Sequence, residues 1–406
     1  MLPNDTPLTG PDLLQRFLAL DTFLLEHQAL WRPKPFTVLE LPWEHDHPEL
    51  ATWLRSRSLE EADAVHNAPQ QLDAPAPFPT LAAMAAKLSV VGEFPATPMG
   101  KLSNLLTVDV PGRKWQQIEA FASRLEFAEA PQQWLDWCAG KGHLGRLLAR
   151  DGKPLLSLEL DSALVEDGQR LSDRLQLQAR HHQQDVLAPN ALEHLQAGHT
   201  AVALHACGDL HVRLLQLASS RGCRQLAVAP CCYNRIDSEH YQPLSNAAQG
   251  STLGLSREDL RLPLAETVTA GARVRRQRDA SMARRLAFDL LQREVRDSDD
   301  YLPVPPVSPT WLDKSFADYC RDLAALKGLH LPAVVDWLHL EARGWQRLAQ
   351  VRNLELVRGL FRRPMELWLL LDRALFLEEQ GYRATLGAFC ATRMTPRNLL
   401  LLAERI

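Results

Sequence analysis

Two parts of this sequence concentrate side chains able to do chemistry. One is DWCAGKGHLG, Asp136 to Gly145; the other is HACGD, His205 to Asp209, together with APCCYNRI, Ala229 to Ile236. In the first, an acid precedes small residues, and Gly140 and Gly142 let a backbone approach a ligand with no Cβ in the way. A helix is predicted just beyond, and its first unpaired amides suit a ligand carboxylate. Glu159 ends the next apolar run, where a carboxylate can accept from both ribose hydroxyls of an adenosine, and Asp185 follows where it could meet the adenine amino group. Gly140, Gly142 and Gly145 also spell the G-x-G-x-x-G of nicotinamide dinucleotide folds. Asp136 separates the two readings, because a carboxylate aimed into this loop repels a pyrophosphate and attracts a methionine ammonium group. The expected ligand is therefore S-adenosylmethionine, contacted by Asp136, Cys138, Ala139, Gly140, Gly142, His143, Leu144, Glu159, Asp185 and His205.

The second constellation allows three chemistries. His205, Asp209 or Tyr233 can serve as base or orienting group for a nucleophilic oxygen or nitrogen. Cys231 or Cys232 can attack a pyrimidine ring, and the set with Cys207 can bind zinc. Within each stretch, His205 with Cys207 and Cys231 with Cys232 lack the separation of most zinc knuckles, so no metal is expected. The cysteines can also simply fill a crowded turn, since cysteine is among the most buried residue types.

These residues need a scaffold that brings strand ends together. From Gln133 onward, short apolar runs alternate with helices, QWLDW, LLSLE, TAVAL and RQLAVA, with the short LQARHHQQD continuing the pattern between the second and third. That alternation predicts a doubly wound parallel α/β sheet, Rossmann-like, with the strand ends carrying both motifs on one edge. ELWLLLDRALFLEEQ, with Pro364 near its start and Gly381 just past its end, is predicted as a helix. YRATLGAFC and NLLLLAERI then close the sheet as a hairpin.

The 406 residues exceed what one hydrophobic core usually serves. Four segments are expected: an N-terminal helical region over 1–78, the first part of the core over 79–262, a helical insertion over 263–363, and the closing helix and hairpin over 364–406. NAPQQLDAPAPFP, Asn67 to Pro79, reads as an extended linker. The helical stretches before Gln133, including KWQQIEAFASRL, carry no legible chemistry.

The 46% hydrophobic and 23% charged content is that of a globular chain. Met1 to Asp5 has no basic or apolar character, and the apolar stretch from Leu367 is broken by Asp372 and Arg373, so no membrane association is expected. Seven cysteines, an odd number, fit a reducing compartment, and a cytoplasmic protein is expected.

DWCAGKGHLGRLLA, LHACGDL and PCCY together resemble the methyltransferase family that includes the ribosomal RNA adenine dimethylase domain-containing proteins. More distantly they are similar to the acceptor-stem tRNA methyltransferases and the glutathione S-transferase C-terminal-domain-containing protein. LLLDRALFLEEQGY and MTPRNLLLLA resemble the end of the first group, so the likeness spans most of 130–406. It implies a class I fold, S-adenosylmethionine as cofactor and RNA as substrate. It also implies donor contacts at Asp136, Gly140, Gly142 and Glu159, and substrate-side positions at His205, Cys207, Gly208, Cys231, Cys232 and Tyr233. Cys138 stands where many such enzymes have the first glycine of the turn, and the chain has no Asn-Pro-Pro-Tyr or Asp-Pro-Pro-Tyr tetrad.

The net charge of -4 excludes a wholly basic surface, and no DNA partner is expected. A local patch remains in Arg273, Arg275, Arg276, Arg278, Arg284 and Arg285, which could follow an RNA backbone. The alternative is a solvated face whose arginines pair with Glu266, Asp289 or Glu294. A smaller cluster, Arg358 to Pro364, reads as a helix C-terminus carrying favourable cations.

Overall fold

The computed structural model describes residues 6–265 and 271–406, with nothing said of the Ala272 side chain. The expectations that rest on Met1 to Asp5 and on Glu266 lie outside the described residues. The chain divides into two compact units: Met1–Leu25, Leu88–Ala265 and Arg363–Ile406 form the first, Glu26–Lys87 and Glu266–Arg362 the second. The N-terminal helical stretch is thus divided between the two units, in place of the expected single segment ending near residue 78.

The first unit is built on eight strands: β1 (Leu8–Thr9), β2 (Gln133–Trp137), β3 (Leu155–Glu159), β4 (Ala179–Gln183), β5 (His199–Leu204), β6 (Gln225–Ala229), β7 (Tyr382–Ala388) and β8 (Leu399–Arg405). Their order is β1-β7-β8-β6-β5-β2-β3-β4. Strands β2 to β6 run parallel to one another, and β8 and β7 join antiparallel. The order reverses between β2 and β5, the topological switch point where ligands of open α/β sheets bind. Leu399 to Leu402 are all buried, as a strand covered on both faces requires. The outer β4, ARHHQ, is polar and partly exposed, which keeps a sheet edge from pairing with other chains.

The helix Arg362–Glu379 braces the segments that follow β5 and β6 through a buried pair of charged residues. The Asp372 carboxylate is fully buried and accepts from the Tyr241 hydroxyl, from Leu244 N–H, and from the N–H and hydroxyl of Ser245. Arg373, beside it, donates to His211 Nε2 at 2.7 Å and to the Tyr241 hydroxyl at 3.1 Å. His211 Nδ1 lies 3.1 Å from the Ala206 carbonyl. Burial and the Arg373 charge hold His211 well below the usual imidazole pKa, so the ring is neutral, donates from Nδ1 to Ala206 and accepts at Nε2. The loop after β5 is thereby fixed by Arg373 through His211.

The second unit is helical. Ala272–Arg296, Phe316–Leu326 and Trp337–Gly359 share cores in which Phe288 and Leu291 pack with Phe316, Tyr319 and Leu323, and Leu286 with Leu348 and Val351. Segment 26–87 belongs to this unit through Arg347, which donates to the Pro35 and Val38 carbonyls, and Asn353, which donates to those of Arg57 and Ser58. Asn67 to Pro79 is not the expected linker. Pro69–Gln71 form a 3-10 turn, Leu72 and Ala74 are buried, and a helix begins at Phe78. Low charge and prolines look alike in a linker and in a buried turn.

Asp372→Ala strands several buried donors at once and is expected to lower unfolding free energy by about 3 kcal/mol or more, with Asp372→Asn costing less. Urea titration of the two variants checks this; a loss below about 1 kcal/mol for the alanine would remove the brace from the account.

Candidate active site

Asp136 is the last residue but one of β2, with 3% of its surface exposed, and its Oδ2 accepts from Gly145 N–H at 2.9 Å. A Cβ on Gly145 would stand 2.9 Å from that same oxygen, so the turn closes on the carboxylate only with glycine there. Burial pushes the Asp136 carboxyl up to about 7, against the Gly145 bond and the charges of Arg146 and Lys114.

The rest of the turn is left-handed at Cys138 (φ 58°), Gly140 (φ 58°) and Gly142 (φ 68°). Cys138 adopts there the backbone state that glycine adopts without cost, a strain of order 1–3 kcal/mol of the kind that gathers at functional sites. A Cβ on Gly140 would meet nothing within 4 Å, whereas one on Gly142 would lie 2.4 Å from the His181 ring. Gly140 therefore leaves open space at the turn, and Gly142 is needed for packing against β4.

Glu159, at the end of β3, accepts from Gly140 N–H (2.8 Å), Leu160 N–H (2.9 Å) and Asp161 N–H (3.1 Å). A carboxylate has about four lone-pair sites, so roughly one is left for a ribose hydroxyl, not the two bonds expected. Asp185 is exposed and accepts from Leu187 N–H at 2.9 Å. Beside these acids stand Leu160, 62% exposed, and Leu187, 48% exposed, two apolar side chains that no sequence motif singles out.

His143 and Leu144 do not present their side chains to a ligand as expected. Leu144 packs in the core with Trp115 and Trp134, and His143 is buried with Nδ1 2.8 Å from Arg146. Burial and the Arg146 charge bring the His143 pKa down to about 4, so the ring is a neutral acceptor. The helix over these residues, His143–Leu148, is only six residues long. Ala139 is half-buried, and its N–H donates to the Leu158 carbonyl.

The second constellation converges in part. His205 follows β5 with φ 68°, and its Nε2 lies 2.9 Å from Gln117 Oε1. Burial, helped by Lys114 and Arg397, keeps its pKa below the ordinary value. Cys207 Sγ is 3.1 Å from Cys231 Sγ, and Cys232 Sγ is 3.6 Å from Cys231 Sγ. The Cys207 thiol is pulled down because Cys231 and Cys232 donate to its thiolate, which pushes the Cys231 thiol up. All seven cysteines are free thiols.

Two residues leave the set. Tyr233 is 1% exposed, its hydroxyl 3.5 Å from Glu366, its ring under Arg373 and edge-on to His211. Burial and the Glu366 charge raise its pKa well above the tyrosine range, so it is a core residue and not a base facing substrate. Asp209 braces the neighbouring loop, accepting from Asp237 N–H at 2.8 Å while its own N–H donates to Arg235.

Gln117, on the helix Gly112–Ala122, enters the site from a stretch expected to carry no chemistry, and the exposed Lys114 one turn before it lends only its charge. Their three-residue separation on an amphipathic helix was the available signal. Arg113 and Gln117 of that helix also donate to the Met394 carbonyl, tying the β7–β8 loop to His205.

Residues 113–239 match the family model described as "Methyltransferase domain". Among solved structures, similarity is found to one reported for conversion of a disulfide bond into a thioacetal group during echinomycin biosynthesis. Its identity is 18%, covering 34% of this chain and 54% of that one, with a TM-score of 0.21. An S-adenosylmethionine-dependent methyltransferase from Clostridium acetobutylicum is 16% identical, covering 30% of this chain and 52% of that one, TM-score 0.22. Coclaurine N-methyltransferase bound to N-methylheliamine and SAH is 12% identical, covering 97% and 95%, TM-score 0.28. The chain thus spans about half the length of the first two. The fold is a Rossmann-like α/β fold, and residues 113–239 within it match a methyltransferase domain.

Gly140→Ala is expected to fold, with a strain cost near 1 kcal/mol, yet to lose donor affinity at least tenfold. Calorimetric titration with S-adenosylhomocysteine checks this, and unchanged affinity would remove Gly140 from the binding turn. A carboxyl whose pKa is higher folded than unfolded adds stability that is full below the ordinary value of 3.8 and is lost as pH rises through about 7. Asp136→Asn should therefore gain on the wild type between those limits; urea midpoints that stay parallel across the range would show Asp136 ionising normally.

Proposed function

We propose that this chain transfers a methyl group from S-adenosylmethionine to an RNA acceptor, with Asp136 to Gly142 and Glu159 holding the donor. The observation that carries the donor assignment is the open space over left-handed Gly140, next to an acid, Glu159, oriented by three backbone N–H groups. When bound, the donor supplies an electrophilic methyl group to a nucleophile approaching in line. The chain's own residues do the rest. Asp136 shapes the turn and places negative charge behind the amino-acid end of the donor. Glu159 takes a ribose hydroxyl, and the exposed Leu160 and Leu187 offer apolar flanks to a purine beside Asp185.

His205 is the proposed base. With Gln117 Oε1 as acceptor, Nε2 carries the ring proton and Nδ1 has a lone pair, and burial keeps the ring neutral near pH 7. Nδ1 can then take a proton from an acceptor oxygen or nitrogen. His205→Ala should lower turnover while leaving donor binding nearly intact.

The RNA assignment rests on exposed Arg273, Arg276 and Arg278 at the start of the helix Ala272–Arg296. Arg284 is not part of that face: it donates to the Leu312 and Lys314 carbonyls and lies near Glu341 and over Tyr319. Arg285 reaches the Pro305 carbonyl. Asp289 and Glu294, expected as partners of the patch, are held instead by Arg293 and Arg343. The second basic cluster is likewise committed, Arg358 to Glu355 and the Trp31 carbonyl, Arg363 to Glu366 and Asn398.

The test is labelled donor incubated with the protein and total cellular RNA, then with total protein. Label should enter the RNA pool. Three phosphate contacts imply an apparent RNA affinity that falls roughly 40-fold between ~50 and ~200 mM salt, a dependence that Arg273→Ala, Arg276→Ala and Arg278→Ala together should flatten. Label in another pool, with RNA binding indifferent to salt, contradicts the RNA reading while leaving the donor site standing.

A further inference from the structure

Three thiols converge at one point of the first unit. The β5–β6 register pairs Leu204 with Ala229, so Cys207, three residues past the one, and Cys231 and Cys232, two and three past the other, emerge at the same height. The separation that spacing within either stretch lacks is supplied by the neighbouring strand. The Sγ atoms of Cys207, Cys231 and Cys232 all lie within 4.8 Å of one another, with individual separations of 3.1 and 3.6 Å. Thiolates bound tetrahedrally at about 2.3 Å stand roughly 3.8 Å apart, so side-chain rotations that open these two separations by roughly 0.7 and 0.2 Å lead to a coordination triangle.

The two loops are held in place independently of any ion. His205 N–H donates to the Ala229 carbonyl at 3.1 Å, Asp209 N–H to Arg235 at 3.0 Å, and Arg235 N–H to Cys232 at 3.2 Å. A Cβ on Gly208 would lie 1.7 Å from the Arg235 carbonyl, so the loops touch backbone to backbone at a glycine. Three thiolates around a divalent ion carry one net negative charge, and the Arg235 guanidinium acts on Cys207 and Cys232 with the opposite sign. Among the described residues no fourth histidine, cysteine, aspartate or glutamate side chain joins the trio.

We propose that Cys207, Cys231 and Cys232 hold a soft divalent metal ion, zinc foremost, and leave its fourth position to a ligand from outside the chain. Soft thiolates select zinc over the hard cations. Three protein ligands with one open position are the pattern of zinc sites that activate a bound molecule, whereas sites serving only the fold are closed by four. The β2–β5 register pairs Asp136 with Val202, so the loop that carries Cys207 leaves the sheet next to the donor turn. A nitrogen or thiol ligand on the open position would lose its proton more readily there, as each of the three protein thiols does when it releases its proton to solvent on binding. The site stands independently of the RNA proposal and of donor binding.

The test uses the full chain, purified under reductant from zinc-supplemented cells, dialysed, and assayed for metal by mass spectrometry. About one zinc per chain is expected, falling to about a tenth or less in Cys207→Ser and in Cys232→Ser. Should those variants fold poorly, cobalt(II) added to the metal-stripped wild type serves instead. It should give the intense thiolate-to-cobalt absorption of a tetrahedral site, and added imidazole should shift the visible bands by entering the open position. No stoichiometric zinc together with no thiolate-to-cobalt absorption overturns the site, as does zinc retained undiminished in the doubly substituted chain. Cobalt bands unmoved by imidazole overturn the open position. Titration with S-adenosylhomocysteine on the same samples reads the donor site separately.

Discussion

The carboxylate of Asp136 sits where water hardly reaches, and among the described residues the hydrogen bond from Gly145 N–H is the one that holds it. Much of the catalytic edge follows from keeping that group in place. The strand must end there, Gly145 must lack a Cβ, and the chain between them must turn through left-handed residues, one of them a cysteine. Burying a carboxyl with so little compensation raises its pKa, and the positive charges of Arg146 and Lys114 partly offset the cost. The turn is thus a local instability that the sheet around it sustains, of the kind that gathers at functional sites.

The loops after β5 and β6 are stabilised differently. Besides buried apolar side chains such as Ala206, Leu253 and Leu255, their order comes from buried polar groups on the helix Arg362–Glu379. Arg373 fixes His211 and through it Ala206, while its guanidinium covers the Tyr233 ring. Asp372 fixes residues 241 to 245. His205 and the three thiols therefore depend on two charged residues that interrupt an otherwise apolar helix, and this explains why Asp and Arg stand in the middle of LWLLLDRALFL.

Much of this architecture is legible in the amino-acid sequence. The strand and helix runs from Gln133 to Gln225, the helix between Pro364 and Gly381, and the closing hairpin all carry strong period or punctuation signals, and the structure forms each of them. The features that escape such signals depend on contacts distant in sequence. A two-residue strand such as Leu8–Thr9 has no pattern to read and is defined only by its partner β7. Tyr233 is indistinguishable from a site residue along the chain, because its burial is decided by Arg373 and Glu366, more than a hundred positions away. Gln117 reads as the polar face of an ordinary helix, and only the fold brings His205 against it. The thiol cluster is a product of strand register, which spacing along the chain does not express.

The central claim is that the turn from Asp136 to Gly142, with Glu159, grips S-adenosylmethionine. A crystal structure of the chain grown with S-adenosylhomocysteine addresses it most directly. The account requires the amino-acid end of that molecule to lie over Gly140 and a ribose hydroxyl to bond Glu159. Ligand bound elsewhere on the chain, or the open space over Gly140 left empty at saturating ligand, would contradict it.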